Sequence, residues 1–179
     1  MQRFAALALL LVALIAPPAY AQQGKDTLRL ETTKGNIVIR LRRDLAPGHA
    51  DRLLTLAREK FYDNVPFHRV IDGFMAQTGD GQRGDGTGGS KYPDLKAEFS
   101  NVPYRRGVVG MARKGNSNDS ANSQFFIMFG DAPSLNNQYT VVGEVLNGMD
   151  VVDKLKKGSQ AQNGTVTDPD RIVRAVPGS

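Results

Sequence analysis

Phe67-His68-Arg69-Val70-Ile71-Asp72-Gly73-Phe74-Met75-Ala76-Gln77-Thr78-Gly79-Asp80 combines two features that ordinary β-structure keeps apart. Two short apolar runs flank Asp72-Gly73, a dipeptide suited to a tight turn, so the segment reads as a β-hairpin. Yet Arg69 and Gln77 sit inside those apolar runs and face the same short turn. A guanidinium and an amide held beside Phe74 and Met75 describe a small apolar pocket with two fixed hydrogen-bond donors. A hairpin whose arginine merely snorkels to water accounts for the same residues, and this segment alone does not choose between the two. His68 falls on the opposite face of its strand from Arg69; it reads as a structural histidine, hydrogen-bonded within the fold.

Working outward, Met1 to Ala21 reads as a targeting segment. Arg3 supplies the positive start, Phe4 to Ala16 the apolar stretch, and Ala19-Tyr20-Ala21 an A-x-A cleavage site. The apolar stretch is about a dozen residues, short for a membrane span, and no second one follows, so stable membrane insertion is not expected. The expected mature chain starts at Gln22, forms a single domain over residues 22–179, and is exported to the periplasm or the cell exterior. The whole chain carries a net charge of +5, with its basic residues scattered. No aromatic residues interleave with them, so nucleic acid is not an expected partner. There is no cysteine, which excludes thiolate metal sites, redox motifs and cysteine nucleophiles. Two histidines make a histidine-rich metal site improbable, and no metal or cofactor is expected.

Thr27 to Thr32 alternates as a half-buried strand, Thr33-Lys34-Gly35-Asn36 turns, and Ile37 to Leu41 returns. Pro47 suits a first helical turn. Ala50, Leu53, Leu54, Ala57 and Phe61 then recur at helical spacing, giving an amphipathic helix ending near Lys60; His49, in its first turn, reads as exposed. Gly79 to Gly89 contains two formal matches to G-x-G-x-x-G. The dinucleotide fingerprint needs a helix directly afterwards, and Ser90-Lys91-Tyr92-Pro93-Asp94 cannot start one cleanly, so the stretch reads as a flexible surface loop. Further strands follow at Gly107 to Ala112, Ser123 to Phe129, Tyr139 to Leu146 and Arg171 to Val176. Asn147 is positioned to cap a second short helix with Val151, Val152 and Leu155 buried. Eight short strands and two helices without βαβ alternation argue for a mainly β fold, an antiparallel sheet that tends to close into a barrel.

These residues together support a family resemblance. Phe67 through Gln77 resembles the signature of the cyclophilins, the peptidyl-prolyl cis/trans isomerases. The similarity continues in order through Gly86-Thr87-Gly88-Gly89, Gly110-Met111-Ala112, Ser123-Gln124-Phe125-Phe126-Ile127, Val141-Val142-Gly143 and Gly148-Met149-Asp150-Val151-Val152. It spans roughly Thr27 to Val176, and with a leader in front it looks like an exported bacterial-type cyclophilin. The resemblance implies a closed eight-stranded antiparallel barrel capped by two helices. It places the catalytic arginine on Arg69, the proline-pocket lining on Phe74, Met75 and Phe126, and a backbone-contacting glutamine on Gln77. It also implies substrate contacts by Ala112, Gln124 and Leu135, and implies that Tyr139 serves where the family often has histidine. Ser134 replaces a frequent tryptophan, which implies weak cyclosporin binding. The implied partners are proline-containing unfolded or partly folded polypeptides, and the expected state is a monomer.

Isomerising an X–Pro bond crosses a barrier of about 18–20 kcal/mol because rotation breaks amide resonance. No bond is made or cut, so the reaction needs only groups that favour the twisted amide over both planar forms. Twisting returns a lone pair to the proline nitrogen, and a donor such as Arg69 aimed there stabilises that state selectively. A hydrogen bond from a charged group is worth about 1.5–3 kcal/mol, one to two decades of rate. A binding module with weak turnover is the competing reading, supported only by Ser134. A Ser/His/Asp hydrolase lacks the nucleophile-elbow glycines.

Overall fold

The structure, a computed structural model, describes residue 24 and residues 26–178. The leader expected over Met1–Ala21 lies outside the described residues. Among the described residues, nine strands form one antiparallel sheet: β1 Thr27–Thr32, β2 Gly35–Leu41, β3 Val65–Pro66, β4 Arg69–Ile71, β5 Met75–Thr78, β6 Val108–Met111, β7 Phe125–Met128, β8 Val141–Asn147 and β9 Arg171–Pro177. Their order is β3-β9-β1-β2-β8-β6-β7-β5-β4. The two edge strands are neighbours in sequence, joined only by Phe67 and His68. A link that short spans about 10 Å at most, so the sheet must curl until its edges nearly meet.

This corrects the expected closed eight-stranded barrel in detail while keeping its class. The ninth strand is the two-residue β3, whose Pro66 has no N–H and therefore suits an edge. No ladder joins β3 to β4. The gap is instead bridged by the chain before β9, where Val70 donates to Gly164 O (2.8 Å), Val166 donates to His68 O (3.0 Å), and Phe67 donates to Asp170 O (2.9 Å).

Helix α1, Pro47–Arg58, starts on the expected proline and ends two residues before Lys60, which adopts φ +59°. Ala46 supplies no side-chain cap. The carboxylate of Glu98 does so from far along the chain, accepting from the Gly48 and His49 amides at 3.2 and 3.1 Å. First-turn amides lack partners within a helix, and satisfying them this way lays residue 98 over His49. His49 is therefore fully buried, its Nδ1 2.5 Å from Glu98 Oε2, and not the exposed residue its position suggested. Helix α2, Met149–Asp153, follows Gly148 at φ +95°; Asn147 ends β8 and makes no cap. A side chain at Gly148 would run into the Asn36 carbonyl, which is why the backbone turns on glycine there.

The strands alternate strictly between two faces. Val109, Met111, Phe125, Ile127 and Ala76 point into the main core with Leu28, Leu30, Ile37, Ile39 and the apolar face of α1. Met75, Phe126 and Met128 point the other way, joining Tyr104, Ala132 and Val141 in a second, smaller apolar cluster. That second face carries the site.

Candidate active site

Period-two geometry puts four site positions in one row across four strands. Arg69 on β4 pairs with Gln77 on β5, Gln77 with Phe126 on β7, and Phe126 with Gly110 on β6. Adjacent strands lie about 4.8 Å apart, so the guanidinium and the aromatic ring are set at opposite ends of a short polar-to-apolar gradient. At the hairpin, Phe74 donates to Ile71 O (3.0 Å) and Gly73 sits at φ +70°. The connection is thus the three residues 72–74, with Met75 returning opposite Ile71.

A cavity of about 180 Å³ opens above this row. At roughly 30 Å³ per liquid water, it holds about six waters' worth of space, suited to one small ring and its peptide group. Phe74, Met75, Ala112, Phe126, Leu135 and Tyr139 form its largely apolar wall, and Arg69, Gln77 and Arg113 its polar side. Eight of the nine residues singled out in the sequence therefore converge here. The ninth, Gln124, lines an adjoining larger cavity of about 380 Å³, to which Gln77 and Ala112 also contribute. Ser134 is exposed in the short 3-10 turn Pro133–Leu135 and lines neither cavity.

The aromatic wall is braced from behind. Tyr104 stacks on Phe126 with centroids 5.8 Å apart, and Tyr139 meets the same ring edge-on at 5.7 Å and 88°. Such pairs add about 0.5–1.5 kcal/mol beyond area burial. They fit only because residue 110 is glycine: a Cβ there would lie 2.5 Å from Phe126 Cζ and 2.6 Å from Tyr104 Oη. Tyr104 was not singled out in the sequence, where an isolated Pro-Tyr in a loop gives no signal.

The polar side is a relay. Arg69 donates through Nε to Asn163 O (3.0 Å), through Nη2 to Asn163 Oδ1 (3.0 Å), and through Nη1 to Gln77 Oε1 (3.2 Å). A guanidinium has five N–H donors, so two remain for a ligand. Burial pulls the Arg69 pKa down from its ordinary value, against the influence of Tyr139; an arginine still keeps its charge. Gln77 Nε2 donates to Gln124 Oε1 (3.0 Å), and Gln124 Nε2 donates to the carbonyls of Gly86 (2.9 Å) and Gly88 (2.8 Å). Asn163 reads from sequence only as a turn residue, and it does adopt φ +54°; nothing local marks it as an arginine anchor.

The glycine-rich stretch is organised rather than loose. Asp80, 1 % exposed, accepts from the amides of Gln82 and Arg83 through Oδ1 (3.1 and 2.9 Å) and of Gly86 and Gly88 through Oδ2 (both 2.9 Å). Burial pushes its carboxyl pKa up, but the amides of Arg83, Gly88 and Gly86 outweigh that and hold it below the usual value. The glycines let amides converge on one carboxylate, a structural purpose unrelated to nucleotide binding. His68 lies buried beneath this loop, against Gly86, and neither ring nitrogen finds a partner among the described residues. It faces away from Arg69 as expected, and the Pro66 carbonyl is the backbone acceptor closest to serving its ring, short of full hydrogen-bond geometry.

The curled antiparallel sheet thus presents an arginine beside a small, largely apolar cavity. The family model described as "Cyclophilin type peptidyl-prolyl cis-trans isomerase/CLD" matches residues 27–176. The chain is 55 % identical over 168 residues to a "Probable peptidyl-prolyl cis-trans isomerase" of Brucella suis, covering 88 % of this chain and 85 % of that protein. It is 41 % identical over 133 residues to a "Peptidyl-prolyl cis-trans isomerase" of Helicobacter pylori, covering 72 % and 79 %. Among solved structures, a Cryptosporidium parvum cyclophilin crystallised in the presence of the dipeptide Ala-Pro matches with a TM-score of 0.77 at 27 % identity, covering 86 % of this chain and 99 % of that one. The chain belongs to the cyclophilin-type peptidyl-prolyl cis-trans isomerase family.

Proposed function

We propose that this isomerase binds its proline ring in the 180 Å³ cavity against Phe74, Met75, Phe126, Leu135 and Tyr139, and that Arg69 acts on the amide it presents. The observation that carries this reading is the fixed arginine at the edge of a ring-sized apolar cavity, with two N–H donors uncommitted. With the ring held, only the chain before or after the proline is free to turn. As the amide twists, its nitrogen becomes a hydrogen-bond acceptor, and a donor of Arg69 meets it. That interaction is absent in either planar ground state, so it lowers the barrier and not merely the energy of binding. Gln77, oriented by Arg69 on one side and Gln124 on the other, keeps one Nε2 hydrogen for a substrate carbonyl. Ala112 and Gln124 line the path by which the flanking chain leaves the cavity.

The direct test is the slow, proline-limited relaxation of a short X–Pro peptide, followed without a coupling protease. Catalytic amounts of the protein should shorten it; unaltered relaxation would remove the enzymatic reading and leave a proline-binding module. We also infer that the protein works as a monomer on unfolded or partly folded chains outside the cytoplasm, released by cleavage after Ala21. Amino-terminal sequencing of the exported protein should begin at Gln22. With Ser134 offering neither indole area nor N–H, cyclosporin should bind weakly, and Ser134→Trp should tighten it.

A further inference from the structure

The two cavities share one edge, made by Gln77, Ala112 and Arg113. A peptide whose proline fills the smaller cavity has to lay one flank across that edge to reach the larger one. Arg113 is half-buried there and held from three sides. Its Nε donates to Gln138 O (3.0 Å), its Nη1 donates to Lys114 O (3.1 Å), and its guanidinium carbon lies 4.6 Å from the Tyr139 ring centroid. Carbonyls and a π-face orient a guanidinium without cancelling its charge.

The balance of charge around both cavities points the same way. The cationic lining residues are Arg69, Arg113 and Lys114, and the single carboxylate is Asp94. Asp94 is already engaged, by Lys114 Nζ at 3.3 Å and Asn122 Nδ2 at 2.9 Å. Among the described residues, neither Arg69 nor Arg113 forms an ion pair. Both therefore present uncompensated positive charge to whatever flanks the proline, and a preorganised charge avoids the ordering cost a mobile side chain would incur.

The geometry points to Arg113 as a specificity-determining residue that favours peptides carrying an Asp or Glu side chain immediately next to the proline. This rests on the isomerase reading of the cavity and adds the class of substrate. The shared edge does not say which flank crosses it, so both are tested.

The experiment compares kcat/KM for the peptides Ala-Xaa-Pro-Phe and Ala-Pro-Xaa-Phe with Xaa as Glu, Gln or Lys, in a protease-free assay. At one of the two flanks Glu should exceed Gln by about two- to fivefold, the range of a partly exposed ion pair, with Lys below Gln. The Glu-to-Gln ratio should fall towards one in Arg113→Gln, survive in Arg113→Lys, and shrink as salt is raised, since exposed charges are screened. Because the ratio is taken within each variant, a general loss of activity cancels. Equal Glu and Gln rates at both flanks, or a ratio unchanged in Arg113→Gln, would overturn the proposal. If no peptide is accelerated at all, it is the isomerase reading that fails. The same peptides' affinities by NMR titration then decide the preference by the same ratio.

Discussion

Replacing Asp80 with asparagine perturbs the site from beneath: Asp80 lines neither cavity, but it holds Gly86 and Gly88 of the larger one. Asparagine has the same shape but offers one acceptor oxygen in place of two. Whichever way the amide turns, two of the four converging backbone N–H groups face an NH₂ instead of an oxygen. Each orphaned buried donor costs about 1–3 kcal/mol, so Asp80→Asn should destabilise the loop by about 2–6 kcal/mol. The consequence for function follows from connectivity: Gly86 and Gly88 lend their carbonyls to Gln124, which orients Gln77, which orients Arg69. A misplacement near one ångström can cost a hundredfold in rate, so kcat/KM should fall about ten- to a hundredfold. Amide hydrogen exchange at Gly86 and Gly88 reads the loop, and peptide turnover reads the relay. Because the Asp80 carboxyl is held below its ordinary value, its contribution is complete above about pH 3.9 and is lost as pH falls through the folded value. The variant should therefore lack that part of the wild-type acid limb. Unchanged exchange at Gly86 and Gly88 together with wild-type turnover would refute the reasoning.

Three further perturbations test separate parts of the account. Gly110→Ala adds a Cβ between Phe126 and Tyr104; overpacking should cost about 1–3 kcal/mol in denaturant unfolding and reduce turnover, and a variant matching wild type in both would contradict the braced aromatic wall. Asn163→Gly keeps the positive φ but removes Oδ1 from Arg69, and should lower kcat about three- to tenfold, as a weakened charge-assisted bond allows; an undiminished kcat would leave Asn163 without a positioning role. Burial holds the pKa of both His49 and His68 below the ordinary value, so the unfolded chain binds more protons as pH drops below about 6.5. Stability should then decline from pH 7.5 to 5.5, by at most about 1.4 kcal/mol per pH unit for each histidine, and a flat profile by urea unfolding would argue against neutral buried rings.

The sequence carried the strands well because alternation and turn glycines are local signals, and the apolar stripe of α1 is a local signal too. From residue type alone it marked only Arg69 and Gln77, polar groups inside apolar runs; Phe126 in its Phe-Phe-Ile run reads equally as core, and it was the family resemblance that put Phe126, Ala112, Leu135 and Tyr139 around the same cavity. What it did not carry is long-range. His49 looked exposed because its helix position says nothing of Glu98, which arrives to cap that helix. Asn163, Tyr104 and Arg113 are ordinary loop residues until the sheet curls and sets them beside Arg69, Phe126 and Tyr139. The glycine-rich loop looked flexible because glycine is permissive, and only the structure reveals the buried carboxylate that gathers its amides. The ninth strand is two residues long, below what alternation can register.

The central claim is that Arg69 acts on the twisted amide and not on binding alone. Measuring cis–trans exchange of a bound proline peptide by NMR, for wild type and Arg69→Ala side by side, separates the two. The account predicts a kcat lower by about ten- to a hundredfold, matching one hydrogen bond from a charged donor, with peptide affinity changed far less. Equal exchange rates in the two proteins, or a loss confined to affinity, would contradict it.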